Sequence, residues 1–128
     1  MKFLLDTHAV IWAVENDPRL GNQARNLLST ASGEDVAISD ISLLEISMLH
    51  QKGRLSVKSS VKQYLRALQE QFVVLSIEAD IATEAMTLDL EQGDPFDRVL
   101  VATARTYHIP LLTRDRQICQ SGLVSTFW

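Results

Sequence analysis

The sequence lacks cysteine clusters, long apolar runs and any sign of export. Its one cysteine, Cys119, cannot close an intramolecular disulfide and does not offer the group of thiolates that a structural zinc site needs. No stretch approaches the roughly 18 consecutive apolar residues of a membrane span. Asp6 and His8 interrupt the apolar N-terminal stretch, which therefore lacks the pattern of a secretory signal. These absences predict a cytoplasmic protein that does not associate with a membrane.

The sequence also lacks excess positive charge. Twelve lysines and arginines stand against 16 acidic residues, and the net charge is −4. A nucleic-acid partner would therefore have to be held by local features rather than by a basic surface. The chain is 46% hydrophobic and 22% charged, as is typical of globular proteins. Its 128 residues suffice for one sizeable core, which predicts a single domain over residues 1–128.

Short apolar runs alternate with segments of helical periodicity along the whole chain. The run Phe3–Leu5 is too short for a helix face and suits a strand that is buried on both sides. Alternation of this kind predicts a parallel sheet with helices on both faces, and hence a three-layer α/β/α sandwich with four to five strands. Strands are predicted over residues 3–5, 36–39, 72–77, 109–113 and 123–128, and helices near 9–14, 20–31, 40–50, 61–68, 81–88 and 95–107.

Four carboxylates lie where predicted strands meet predicted helices. Asp6 follows the first strand, and Glu45 lies soon after the second. Asp97 is in the first turn of the helix before the fourth strand, and Asp115 follows that strand. Because the carboxyl ends of parallel strands share one edge of the sheet, we expect these side chains to lie close together, where such sheets bind ligands.

Each acid also has a purely structural interpretation. Asp6 or Thr7 would cap the following helix. Ser42 to Glu45 has the spacing of a capping box, and the spacing from Asp94 to Asp97 is similar. Asp115 would cap a turn before Ile118. For each position taken alone, this interpretation stays open.

The four acids together are harder to explain as caps. Like charges about 4 Å apart repel by about 4 kcal/mol at an effective dielectric constant near 20, so the pKa values of clustered acids rise. A divalent cation relieves this repulsion, and oxygen ligands without cysteine or histidine favour Mg²⁺ or Mn²⁺. Such sites position phosphate oxygens and activate water. The pattern therefore predicts metal-assisted phosphodiester chemistry.

Four short segments of the sequence resemble the motifs of a known protein family. Leu-Leu-Asp-Thr-His (4–8), Leu-Leu-Glu-Ile (43–46), Asp-Pro-Phe-Asp-Arg (94–98) and Leu-Leu-Thr-Arg-Asp (111–115) resemble the signature of PIN-domain nucleases, in particular VapC-type toxins of bacterial toxin–antitoxin pairs. The segment at 94–98 is the most telling. The resemblance implies a PIN-like fold and a Mg²⁺- or Mn²⁺-dependent endoribonuclease that acts on RNA. It also implies an inhibitory antitoxin and a homodimer.

The resemblance further implies roles for individual residues. Asp6, Glu45, Asp97 and Asp115 would be the catalytic, metal-binding acids; Asp94 would be a secondary acid, and Thr113 a polar residue that supports them. The family often has a histidine just before the segment at 94–98, where this chain has Gln92.

Three arginines flank the acids, namely Arg98, Arg114 and Arg116. They are predicted either to contact RNA phosphates or to pair with neighbouring acids, and the sequence favours neither. A lone histidine such as His8, in a strand–helix turn, is more often structural than a metal ligand. Trp12 is expected in the core or at an interface rather than as a platform for stacked bases.

Two other functions share this fold class. A phosphoacceptor signalling domain also carries acids at strand ends, but it needs a lysine after a late strand, and no lysine follows Lys62. A binding module that has lost its chemistry would keep the fold alone, and the presence of all four acids argues against it.

Overall fold

A computed structural model describes residues 1–91 and 94–128, and in them a five-stranded parallel sheet lies between two layers of helices. The predicted three-layer α/β/α sandwich is thus confirmed. The strands are β1 (Phe3–Leu5), β2 (Val36–Ser39), β3 (Val73–Leu75), β4 (Leu111–Leu112) and β5 (Thr126–Phe127). The helices are α1 (Thr7–Val14), α2 (Asn22–Thr30), α3 (Asp40–Gln51), α4 (Val61–Gln71), α5 (Ala79–Thr87), α6 (Pro95–Tyr107) and α7 (Arg116–Ser121), and a 3₁₀ turn spans Gly33–Asp35.

The strand order is β3-β2-β1-β4-β5, and every neighbouring pair is parallel. The chain builds outwards from β1 to β3 and then returns to add β4 and β5 on the other side. The order therefore reverses between β1 and β4, and ligands of such sheets bind in the crevice at the carboxyl ends of these two strands. The backbone N–H of Asp6 donates to the carbonyl of Leu112 (3.1 Å), which holds the ends of β1 and β4 together.

Alternation along β1 explains the two layers of helices. Phe3 and Leu5 face the core formed with α1 to α4, while Leu4 faces the core formed with α5 to α7. All three side chains are buried. Burial of one such leucine contributes about 1.5–3 kcal/mol to folding. A strand that is apolar on both sides is therefore the expected centre of this sheet.

The structure corrects several predicted boundaries. β3, β4 and β5 are shorter than predicted, because apolar residues beyond their ends, such as Phe72 and Ile109, pack against the core without joining the ladder. α1 begins at Thr7, two residues earlier than predicted. α7 was not predicted as a helix, since six residues are too few for helical periodicity to show. No helix in the described part of the chain combines the length and apolar character needed to cross a bilayer.

Candidate active site

Asp6 and Asp115 lie at the ends of the two strands where the strand order reverses. Asp6 is the N-cap of α1, and its Oδ1 accepts a hydrogen bond from the backbone N–H of Ala9 (2.7 Å). Asp115 is the N-cap of α7, and its Oδ1 accepts from the N–H of Ile118 (3.0 Å). The structural interpretation of both residues is thus correct as far as it goes. Each cap engages one oxygen of the carboxylate. A functional role would require only that the second oxygen binds a ligand in the cleft.

Glu45 lies on α3, and the structure excludes its interpretation as part of a capping box. The N-cap of α3 is Ser39, whose hydroxyl accepts from the N–H of Ile41 (3.1 Å). Ser42 is instead buried inside the helix, and its hydroxyl is 2.9 Å from that of Thr7. Because this hydrogen bond joins α1 to α3, it holds the helix that carries Glu45 against the end of β1. Glu45 itself is half-buried.

Asp94 and Asp97 begin α6. Asp94 is the N-cap, its Oδ1 accepts from the N–H of Phe96 (2.9 Å), and Pro95 occupies the first helical position as predicted. Asp97 follows in the first turn and is half-buried. The prediction that concerned Gln92 lies outside the described residues.

These acids line one cleft of about 460 Å³. The four predicted catalytic acids are all on its wall, together with Asp94, whereas Arg98 and Arg116 are not among its lining residues. The side chains from α1 and the segment after it, from α6 and from the end of β4 complete the wall: Thr7, His8, Trp12, Arg19, Leu100 and Arg114.

The titration of Asp97 is strongly perturbed. Its burial, followed by the negative charges of Asp115, Asp94, Glu45 and Asp6, raises its pKa to about 7. The neighbours that contribute are the same carboxylates that line the cleft. A carboxyl with this pKa exchanges its proton near neutral pH, as functional acids and bases often do.

Asp6 and Glu45 are perturbed in the same direction. Burial raises the pKa of Asp6, a hydrogen bond from Thr113 and the N–H of Ala9 oppose the rise, and Asp115 adds to it. Burial also raises the pKa of Glu45, with Thr7 opposing the rise. Thr113 is fully buried, and its Oγ1 accepts from the N–H of Asp115 (3.1 Å). Its hydroxyl therefore links the two acids that follow β1 and β4.

The donor set suits a hard divalent cation, although the cleft is not a closed metal cage. The side chains of its lining that could bind a cation offer carboxylate and hydroxyl oxygens and one histidine ring. Mg²⁺ and Mn²⁺ prefer oxygen ligands. Within residues 1–91 and 94–128, no three acidic, histidine or cysteine side chains converge closely enough to hold an ion by themselves. Mg²⁺ commonly takes one or two carboxylates and keeps several waters, which an open acidic cleft allows.

The three predicted RNA-contacting arginines have different environments. The guanidinium of Arg98 donates to the carbonyls of Ala85 (3.0 Å), Leu88 (3.0 Å) and Leu90 (2.7 Å). These three bonds hold α6 against the end of α5, and Arg98 does not line the cleft, so its contact with RNA stays a prediction that the structure does not support. Arg114 lines the cleft, and Arg116 is exposed at the start of α7.

Sequence reasoning missed several residues that shape the cleft. Thr7 and Ser42 form the buried hydrogen bond between α1 and α3, and Arg19 lies on the cleft wall beside Trp12. Trp12 is only 4% exposed, as expected of a core residue, yet one side of it borders the cleft. The sequence did contain a signal for Thr7 and Ser42. Each is a hydroxyl residue in an otherwise buried segment, where a polar side chain needs a hydrogen-bond partner.

A larger cleft of about 730 Å³ lies at the opposite end of the sheet, where Pro110 and Ser125 precede β4 and β5. Its acidic residue, Glu84, is already paired with Arg105 (2.7 Å). The smaller, acid-lined cleft is therefore the better candidate for chemistry.

Comparison with known proteins agrees with this geometry. The model of the PIN domain matches residues 3–122. Ribonuclease VapC22 of Mycobacterium tuberculosis is 30% identical over 116 residues, which cover 90% of this chain and 88% of that protein. The family match thus spans β1, all four predicted catalytic acids and α7.

Solved structures establish the same fold. VapBC2 of Rickettsia felis, bound to a DNA fragment from its promoter, matches with a TM-score of 0.73 at 17% identity and covers 100% of this chain and 99% of its own. VapC20 of Mycobacterium tuberculosis, a toxin that cleaves the sarcin–ricin loop, matches with a TM-score of 0.71 at 17% identity and covers 96% of this chain and 97% of its own. The chain therefore belongs to the PIN-domain family and, within that family, to the VapC type.

Proposed function

We propose that this chain is a Mg²⁺- or Mn²⁺-dependent endoribonuclease that hydrolyses phosphodiester bonds of RNA in the cytoplasm. The observation that carries the proposal is the acidic cleft, which five carboxylates line and in which burial, followed by the charges of the other four acids, raises the pKa of Asp97 to about 7. Such a concentration of negative charge would repel RNA unless cations offset it. The similarity to Ribonuclease VapC22 supports the same chemistry.

Asp6, Glu45, Asp97 and Asp115 are the side chains that would hold the cation. When bound, a divalent ion offsets the charge of the phosphate and lowers the pKa of water to favour in-line attack. Asp6 and Asp115 are oriented by their caps, since one carboxylate oxygen of each accepts a hydrogen bond from a backbone N–H in the first turn of the following helix. Both residues also line the cleft. Thr113 fixes the turn from the end of β4 to Asp115, because its Oγ1 accepts from the N–H of Asp115.

Replacement of Asp97 tests the proposal. We expect Asp97→Asn to reduce cleavage of a model RNA in Mg²⁺ by about a hundredfold or more, because the amide neither carries the charge nor accepts the proton. Asp80→Asn is a matched control, as Asp80 is exposed on α5 and is not among the residues that line the cleft. Gel analysis of end-labelled RNA measures both rates. Cleavage by Asp97→Asn at the rate of the control would contradict the assignment.

We further propose that the chain is the toxin of a toxin–antitoxin pair and forms a homodimer. A toxin–antitoxin complex from Klebsiella pneumoniae shares this fold, which supports a protein inhibitor here. Leu44 is 60% exposed on α3, and the exposed Ile77 is tied to the same helix by a hydrogen bond from its N–H to Asp40 (3.3 Å). These apolar side chains are candidates for a contact between subunits, which light scattering of the purified chain tests.

A further inference from the structure

Two guanidinium groups lie on one indole ring at the wall of the acidic cleft. The Cζ of Arg114 is 4.5 Å from the centroid of the Trp12 ring, and the Cζ of Arg19 is 4.9 Å from it. Both distances are within the range of a cation–π interaction. Arg19, Arg114 and Trp12 all line the cleft that contains the five carboxylates. The cleft therefore has a cationic wall next to its acidic one.

The indole is a support for these arginines and not a surface for a base. Trp12 is 4% exposed, so its ring faces are covered. The ring of Trp128 packs against it edge to face at 5.7 Å, and that of His8 lies at 5.4 Å. A ring held on several sides cannot admit a stacked nucleobase, which needs an open π-face. It can, however, keep a flexible arginine side chain in one place.

The charges of the two arginines are not equivalent. Arg19 donates two hydrogen bonds to Asp17, from Nε to Oδ1 (3.0 Å) and from Nη2 to Oδ2 (2.8 Å). These bonds lower the pKa of Asp17 to about 2, and the charge of Arg19 is thereby offset. Within the described residues, the guanidinium of Arg114 has no ion pair or hydrogen bond, although Asp115 follows it directly.

We propose that Arg114 binds a backbone phosphate of the nucleic-acid substrate and that Trp12 is the residue that positions it. This inference rests on the proposed function. The backbone at Arg114 is fixed, because it lies between the buried Thr113 and the helix cap Asp115, which are hydrogen-bonded to each other (3.1 Å). Arginine suits phosphate because its planar donors match the phosphate oxygens. Arg19, already paired with Asp17, packs against the ring without taking part in binding.

The salt dependence of binding separates a phosphate contact from a structural role. Fluorescence anisotropy would measure the dissociation constant of a labelled single-stranded RNA, at fixed Mg²⁺ and several KCl concentrations, with Asp97→Asn as the non-cleaving parent. Each lost phosphate contact reduces the slope of log Kd against log salt by about 0.7 for single strands. We expect Arg114→Ala to weaken binding about tenfold and to reduce this slope by about 0.7.

Four further variants complete the experiment. Trp12→Leu should reproduce the change in slope caused by Arg114→Ala, and Trp12→Phe should retain most of the parental slope because the ring is kept. Arg19→Ala should leave the slope unchanged. Arg66→Ala is the charge-matched control, since Arg66 is exposed on α4 and is not among the residues that line the cleft. Thermal melts test whether each variant is folded. If Trp12→Leu does not fold, the slope measured for Arg114→Ala tests the phosphate contact by itself.

Different results would overturn different claims. If Arg114→Ala has the same slope and affinity as Arg66→Ala while the wild-type chain cleaves RNA, the present inference is wrong and the proposed function stands. If Arg114→Ala reduces the slope but Trp12→Leu, when folded, does not, Trp12 does not position the arginine. If the parent binds no RNA and the wild type cleaves none, both proposals are wrong.

Discussion

At the scale of single residues, Asp97 combines two unfavourable conditions, burial and proximity to other carboxylates. Its pKa is about 7, whereas an aspartate in an unfolded chain has a pKa near 4. Between these two pH values, Asp97 therefore keeps its proton in the native state, whereas the same residue in the unfolded chain has already lost it. In the absence of metal, the free energy of unfolding must then fall as pH rises from about 4 to about 7. The raised pKa values of Asp6 and Glu45 act in the same direction.

We predict that this pH dependence is visible in EDTA and reversed by a divalent ion. Wild type should melt at a lower temperature at about pH 7.5 than at about pH 5, and the difference should be smaller for Asp97→Asn. At the higher pH the metal-free variant should be at least as stable as wild type, because one repelling charge is gone. Mg²⁺ at 100 times its dissociation constant should stabilise wild type by about 2.7 kcal/mol and the variant by less.

Thermal melts of both proteins with EDTA and then with Mg²⁺ or Mn²⁺ measure these effects. Wild type that is unmoved by either ion, together with clear destabilisation by Asp97→Asn, would show that these acids have a structural role and do not hold a cation.

Arg98 shows how a charged residue next to the acids can belong to the framework instead. Its three bonds to backbone carbonyls tie α6 to the end of α5 and to the segment that follows it, and their loss would also leave a partly buried guanidinium without these partners. We predict that Arg98→Ala lowers the free energy of unfolding by about 2–4 kcal/mol. Arg116 is exposed, and Arg116→Ala should change the free energy of unfolding by less than about 0.5 kcal/mol. Urea denaturation measures both, and equal stability of the two variants would contradict the role given to Arg98.

At the scale of elements, the helices and the acids depend on the same residues. A helix of six residues such as α7 is marginal by itself, so it relies on its cap and on the packing of Ile118. Asp115 supplies that cap and also lines the cleft. The helix N-terminus in turn holds one oxygen of Asp115 in a set direction.

The two roles of Asp115 can be separated by substitution. Asn and Asp are about equally good N-caps, so Asp115→Asn should keep α7 intact, whereas Asp115→Ala should be less stable than the Asn variant by about 1 kcal/mol. Both variants lack the charge, and we predict that both lose RNA cleavage. Ser60→Ala is the converse control, because it removes the cap of α4, away from the cleft, and should retain cleavage. An active Asp115→Asn variant would limit Asp115 to capping.

At the scale of the whole molecule, a net charge of −4 and an acidic cleft imply that the proposed binding of RNA would be local and sensitive to salt and divalent ions. If the proposed function is correct, the chain would cleave RNA of its own cell unless an inhibitor restrained it.

We therefore predict that expression of this chain without a partner arrests bacterial growth. Asp6→Ala should abolish the arrest, because it removes a carboxylate of the cleft along with the cap of α1. Growth curves after induction measure the effect, and immunoblots confirm equal amounts of the two proteins. Equal arrest by wild type and variant would show that toxicity does not arise from this site.

The sequence by itself determined the fold class and the place of most elements. Alternating apolar runs and helical periodicity are local properties, and they predicted the parallel sheet and the helix that begins at Asp94-Pro95. Asp6, Glu45, Asp97 and Asp115 were predicted to share one edge of the sheet because parallel strands end on the same side. The structure brings them to one cleft, and their catalytic role stays a prediction.

Only the tertiary structure decided which partners the polar side chains find. Arg98 and Arg114 both neighbour an acid in the chain, yet Arg98 bonds three carbonyls and Arg114 lies on Trp12. The hydrogen bond between Thr7 and Ser42 joins residues that are 35 positions apart. The physical reason is that periodicity depends on a residue and its near neighbours along the chain, whereas a side-chain contact depends on how separate elements pack against each other.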